Sequence, residues 1–290
     1  MTTESRDRIL ADFARTAPAL PGARVPWLVR ARQAALDRFA QSGFPTSRDE
    51  EWKYTSVAAI EKRAFTALPP GVDIAAAPCV LRFGALPGHR VVFVNGRYSP
   101  AHSSIGLLPT GVILGSLADA IERAPHTLQP LFGEDGRQTV FDALNVAFTA
   151  DGLCLYLPRG AAIEDPIHLV FIAGANGAAI YPRNFIVAEE GARVTVIEHY
   201  AGAAEASYFT NAVTRIVAGT DATVEHYKLQ QEPLRVFHIA GIHAVQGGGS
   251  RFSSHSISVG AALARNDITT ALEAEGCTTT LNGLYLARGR

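Results

Sequence analysis

The chain has 290 residues, 48% of them apolar and 18% charged, so it can bury a large core and is too hydrophobic for a disordered chain. Its 26 Lys and Arg against 27 Asp and Glu leave a formal charge of −1, which excludes a polyelectrolyte drive towards nucleic acid or an anionic membrane surface. No stretch reaches the roughly 18 uninterrupted apolar residues of a membrane span, and the polar, mixed-charge start is neither a signal nor a transit peptide. Three scattered cysteines, Cys79, Cys154 and Cys277, make neither a disulfide framework nor a zinc knuckle. A soluble, cytoplasmic protein without a nucleic-acid or membrane partner is expected.

Residues 1–70 read as a helical N-terminal region. Leu28, Ala31, Ala35 and Phe39 fall at helical spacing behind Pro26, and Gly43 with Pro45 ends that helix. A second helix is expected from Ser47 to about Lys62. Breaker-rich sequence over 68–78 marks a boundary, and the period then changes. The run Arg90 to Val94 enters Asn95-Gly96 as a strand entering a tight turn. A short strand over 111–115 follows. Helical interruptions are expected near 116–125, opened by Ser116 and stopped by Pro125, and near 139–148, opened by Thr139 to Asp142.

From Asp151 onward short strands and glycine corners alternate. Gly160, Gly191, Gly219, Gly249 and Gly276 are spaced by 31, 28, 30 and 27 residues. A period near 28 belongs to a repeat whose units cannot bury their apolar faces alone. The fold class is therefore mainly β, with a β-helix or β-solenoid core over 78–290 preceded by the small α-helical region. A β-sandwich is the ordinary alternative.

The strings Thr195-Val196-Ile197-Glu198-His199-Tyr200 and Thr223-Val224-Glu225-His226-Tyr227 agree closely. His199, His226 and His255, 27 and 29 residues apart, would then stack one coil above another as a candidate metal-binding ladder. Glu198 and Glu225 are neighbours in sequence but alternate to the opposite face. His238 and His243 also face opposite sides, and His168 reads as an edge residue. Cys154, between two leucines, and Cys277, after a corner glycine, read as structural. No GxSxG elbow, Walker A loop, HExxH or strand-borne GxGxxG occurs.

Several separated motifs resemble the SufB/SufD family of the SUF iron–sulfur cluster assembly system. They are Gly43-Phe44-Pro45 with Glu50-Glu51-Trp52-Lys53-Tyr54-Thr55, the stretch from Asp142 to Gly152, Leu157-Pro158-Arg159-Gly160, Pro166-Ile167-His168-Leu169, and the ending from Leu281 to Leu286. The EEWKYT element favours the SufD branch. The resemblance implies a helical region, a β-helix and a C-terminal helical domain, the last absent from this sequence, so that a truncation at Arg290 is expected. It further implies a non-catalytic scaffold subunit in a SufBCD-type complex. A SufB-type paralogue would pair through the β-helix, and a SufC-type ATPase would bind through the missing domain. Iron or an Fe–S cluster would be carried transiently by the complex, which the resemblance also allows to receive reduced flavin. Two alternatives stay open: an independent metal-binding protein using the histidine ladder, and a polysaccharide-acting β-helix enzyme, against which the corner positions of the acidic residues stand.

Overall fold

The computed structural model describes residues 2–68, 87–133 and 139–287. The expected boundary over 68–78 lies, from residue 69 on, outside the described residues, as does Cys79.

Helix α1 (Thr3–Thr16) begins at Thr2, whose hydroxyl accepts from the Ser5 amide, and α2 (Pro26–Ser42) begins with Pro26 in its first turn. Gly43 ends α2 at a φ of 68°, a left-handed value that favours glycine. The helix expected over 47–62 forms only in part, as a single turn at Glu50–Trp52 and a short α3 (Ala58–Arg63). The reason is packing. Trp52 and Val57 are both buried, and a separation of five does not return to one helix face.

After β1 (Thr66–Ala67), strands β2 (His89–Val94) and β3 (Arg97–Tyr98) make the expected hairpin. Asn95 and Gly96 both carry positive φ, 49° and 77°, as a two-residue turn matched to strand twist requires. Strand β4 (Ile113–Ser116) leads into α4 (Leu117–Arg123), capped by the Ser116 hydroxyl. Pro125 ends α4 and also opens a further short helix, α5 (Pro125–Leu128). Helix α6 (Val140–Phe148) starts with a complete capping box between Thr139 and Asp142.

The remaining strands are β5 (Leu153–Leu157), β6 (Ile167–Ala173), β7 (Ala178–Ile180), β8 (Arg183–Ala188), β9 (Arg193–Gly202) and β10 (Phe209–Ala218). They continue as β11 (Thr223–Gln230), β12 (Phe237–Gln246), β13 (Arg251–Ser258), β14 (Leu263–Leu272) and β15 (Thr278–Tyr285). One sheet contains β5, β8, β10, β12 and β14, the other β2, β6, β9, β11, β13 and β15. Pairing between successive coils is parallel throughout. This is a β-solenoid of about five turns, and parallel pairing excludes the antiparallel sandwich.

The corners stack as a backbone ladder. Gly160 N donates to Glu190 O, Gly191 N to Thr220 O, Asp221 N to Gly248 O, and Gly249 N to Glu275 O, at 2.8, 2.8, 2.8 and 3.0 Å. One corner residue departs from the sequence pattern. The left-handed position in the third corner is Asp221, with φ 55°, and not Gly219. Gly219 is needed for a different reason, since a Cβ there would meet Glu190 N at 2.9 Å.

Two cores result. Inside the solenoid lie residues such as Val91, Phe93, Leu155, Leu169, Ile186, Val196 and Ile242. The outer face of the first sheet is covered by the helices, through Trp27, Leu28, Phe39, Trp52, Phe141 and Phe148 against Phe185, Phe209 and Phe237. Because Gly191 has φ 68° and a Cβ there would meet nothing closer than Gly160 Cα at 3.9 Å, an ordinary contact, Gly191→Ala adds only left-handed strain. It should cost about 1–2 kcal/mol, seen as a lower urea midpoint with an unchanged slope.

Candidate functional site

Parallel register puts matching residues of successive coils in columns, and the interior columns change character together. One reads Ile167, Val196, His226, Ser254; a second reads Leu169, Glu198, Lys228, Ser256; a third reads Phe171, Tyr200, Gln230, Ser258. The earlier coils supply apolar side chains and a stack of Phe93, Phe171 and Tyr200, with ring centroids 5.1 and 4.7 Å apart. From Glu198 onward the columns turn polar, with Glu198, Tyr200, His226, Lys228, Gln230 and Ser254 buried and Ser256 and Ser258 half-buried, and this cluster is the candidate site.

Glu198 is 1% exposed and is surrounded by donors. His226 Nε2 stands 3.2 Å away, Tyr200 Oη donates at 2.8 Å, and Thr214 Oγ1 donates to the same carboxylate. Burial raises its pKa, but His226 and the Thr214 and Tyr200 hydroxyls outweigh burial and hold it near about 2. A second buried carboxylate, Glu232, accepts from Thr210 Oγ1 at 2.9 Å and Gln230 Nε2 at 3.2 Å, with His238 Nδ1 2.7 Å away. Burial raises this group too, and His238, Thr210 and Gln230 bring it below the ordinary value. Lys228 is the central cation: burial pushes it down to about 8, while Glu198 and Glu232 pull the other way. Its Nζ lies 5.3 Å from the Tyr200 ring centroid. Glu198 and Glu232 thus each have an imidazole and hydroxyl or amide donors beside them, and Lys228 Nζ meets His238 Nε2 and Asn266 Oδ1, so each buried charge has hydrogen-bonding partners.

The histidine ladder does not form. His226 pairs in register with Val196, His199 with Leu229, and His255 with Tyr227. The two similar strings are offset by three residues, because the chain from the Gly191 corner to the one at Asp221 takes 30 residues and not 27. His226 is interior. His255 is on the outer face, stacked on Tyr227 at 5.0 Å. His199 is on the outer face as well, but is fully buried and stacks on His168 at 5.5 Å, their Nδ1 and Nε2 atoms 3.2 Å apart. His168 is therefore a buried partner rather than an edge residue. Burial, then the neighbouring His199 and Arg90, lowers its pKa to about 4, and burial lowers that of His199 against a hydrogen bond with Gln231. Both rings stay neutral, so they can stack without repulsion. Among the described residues no three or more His, Cys, Asp or Glu side chains group as a metal site.

His238 and His243 alternate as expected. His238 faces inward and His243 outward, where His243 Nε2 meets Asp142 Oδ1 at 2.8 Å. Cys154 is buried, and burial raises its thiol pKa to about 11. Cys277 Sγ donates to the Gly247 and Ala274 carbonyls at 3.1 and 3.2 Å. The sequence did not reveal the polar interior, since alternation in β11 leaves open whether Val224, His226, Lys228 and Gln230 or Glu225, Tyr227 and Leu229 point in.

The SufBD protein N-terminal region model matches residues 4–169, and the SufBD core domain model of the SUF FeS cluster assembly system matches residues 170–290. The chain is 30% identical over 278 residues to an iron–sulfur cluster assembly SufBD family protein of Synechocystis sp., covering 91% of this chain and 60% of that protein. It is 26% identical over 266 residues to the iron–sulfur cluster assembly protein SufD of Escherichia coli, covering 88% and 58%. The chloroplastic protein ABCI7 of Arabidopsis thaliana is 24% identical over 258 residues, covering 86% and 54%. The chain thus spans little more than half the length of these relatives. No helix among the described residues is long and apolar enough to cross a membrane.

Two outcomes follow from the interior pairing. Glu198→Ala, which strands His226 and two hydroxyls, should cost about 3 kcal/mol in chemical denaturation. The depressed pKa of Glu198 gives stability that is complete above its ordinary 4.5 and lost as pH falls towards about 2. Across that window wild type should therefore lose more stability than Glu198→Gln, measured by urea unfolding at each pH.

Proposed function

The chain belongs to the SufBD family of the SUF iron–sulfur cluster assembly system, and from that premise we propose that it is a scaffold subunit rather than a catalyst. The supporting observation is the match of both family regions in consecutive order over residues 4–290. In this reading iron and the growing cluster are cargo of a SufBCD-type complex. A SufB-type paralogue pairs with the solenoid, and a SufC-type ATPase supplies the energy of nucleotide hydrolysis. The sequence contains no Walker A loop of its own, which accords with that division of labour.

The fold suits such a role. Long parallel strands present ordered outer faces against which a partner can pack. The histidine-ladder alternative loses its geometric premise with the register described above, and no observation favours a polysaccharide enzyme.

Co-expression of the tagged chain with SufB- and SufC-type proteins of its own organism tests the reading. Recovery of a stoichiometric SufB-type partner is the expected result. Recovery of the tagged chain alone, from cells in which both partners are soluble and abundant, would contradict it.

A further inference from the structure

Within the polar interior, four side chains stand in an order that the scaffold role does not use. Lys228, 3% exposed on β11, donates from Nζ to Asn266 Oδ1 of β14 at 3.2 Å. The same Nζ is 2.9 Å from His238 Nε2, and His238 Nδ1 is 2.7 Å from Glu232 Oε2. Asn266 Nδ2 donates to Ser256 Oγ at 2.9 Å, which fixes the plane of the amide. An amine beside an imidazole, the imidazole beside a buried carboxylate, and an amide carbonyl within reach reproduce the logic of an activated nucleophile facing its electrophile.

Four physical conditions favour reaction over a resting hydrogen bond. Burial makes the amine easier to deprotonate, since it lowers the Lys228 pKa to about 8. His238 is lowered too, first by burial and then by the Lys228 charge, so its Nε2 is free to take a proton. Strands β11 and β14 hold the two reactants in one geometry, which converts an otherwise negligible aminolysis into an intramolecular step. A cavity of about 530 Å³ lined by Lys228, His238, Ser256 and Asn266 gives a small leaving group somewhere to go.

We propose that Lys228 and Asn266 become joined by an intramolecular isopeptide bond, with His238 as the base and Glu232 as the carboxylate that positions it. Lys228 Nζ, as the neutral amine formed once its ammonium has released one proton to solvent, attacks Asn266 Cγ, and His238 Nε2 takes the further proton that the amine gives up on attack. The imidazolium returns that proton to Nδ2, which leaves as ammonia. One Nζ–Cγ bond forms and one Cγ–Nδ2 bond breaks. No oxidant, reductant or cofactor takes part. The product ties successive coils together across the solenoid interior, at the level where the columns are most polar.

Intact-mass spectrometry of the full chain, followed by tryptic mapping, decides the matter. The cross-linked protein is about 17 Da lighter than its sequence mass. Its digest contains a branched peptide in which residues 216–235, uncleaved after Lys228, are joined to the segment that begins at Asn266. Lys228→Met and Asn266→Ala should each restore the sequence mass. His238→Ala should slow appearance of the branched peptide by about a hundredfold or more. Wild-type protein that keeps its sequence mass and is cleaved normally after Lys228, even after days of incubation, overturns the proposal whatever the variants do. So does a mass loss that maps to an Asn-Gly pair such as Asn95-Gly96 or Asn282-Gly283, where a succinimide gives the same change. Cross-linking of His238→Ala at the wild-type rate would overturn the assignment of the base.

Discussion

The parallel register between coils is the constraint on which the rest of this structure depends. Once Arg193 pairs with Thr223, and Thr223 with Arg251, every second side chain is committed to the interior and every other one to the outside. The left-handed corners at Gly160, Gly191, Asp221, Gly249 and Gly276 fix where each coil restarts. A slip of a single residue would turn Glu198, His226 and Lys228 out of the interior and put Glu225 and Tyr227 in. The burial of a carboxylate, an imidazole and an ammonium is therefore a consequence of backbone pairing, stabilised afterwards by the contacts those groups find with one another.

The motifs that carry the family resemblance are joints rather than a reactive centre. Trp52 of the EEWKYT element packs on Phe141 at 5.2 Å and lies 3.9 Å beneath the Arg265 guanidinium, which also donates to Glu51 O at 2.7 Å. Asn145 donates from Nδ2 to Pro182 O and Asn211 O, and accepts from Arg183 Nη1 at 3.0 Å. Asp142 closes the α6 capping box and meets His243 on the solenoid. Two arginines then tie the chain just past the end of α6: Arg32 donates to Thr149 O and Arg97 to Ala150 O, where cations complement the helix dipole. Together these contacts fasten the helices to the outer face of one sheet.

Features set by local chemistry could be read from the sequence. The Asn95-Gly96 hairpin, the caps at Ser116 and Thr139, the α2 helix and the repeating corners all depend on residues within a few positions of one another. Register could not be read, because it depends on coil lengths that vary from corner to corner. The matched strings around His199 and His226 invite an alignment three residues out, and the backbone pairs Arg193-Val194 with Thr223-Val224 instead. The polar interior was hidden for a related reason. Period-two alternation shows that a strand has two faces, and only the neighbouring coils show which of them is dry.

A pair of double-mutant cycles tests that register most directly. Glu198 with His226 and His199 with His226 are each replaced singly and together, and stability is measured by urea unfolding. The pairing described here predicts a coupling of roughly 1–3 kcal/mol between Glu198 and His226 and one within about 0.5 kcal/mol of zero between His199 and His226. Strong coupling between the two histidines, with none between Glu198 and His226, would mean that the coils stack as the matched strings align them and that the interior described here is wrong.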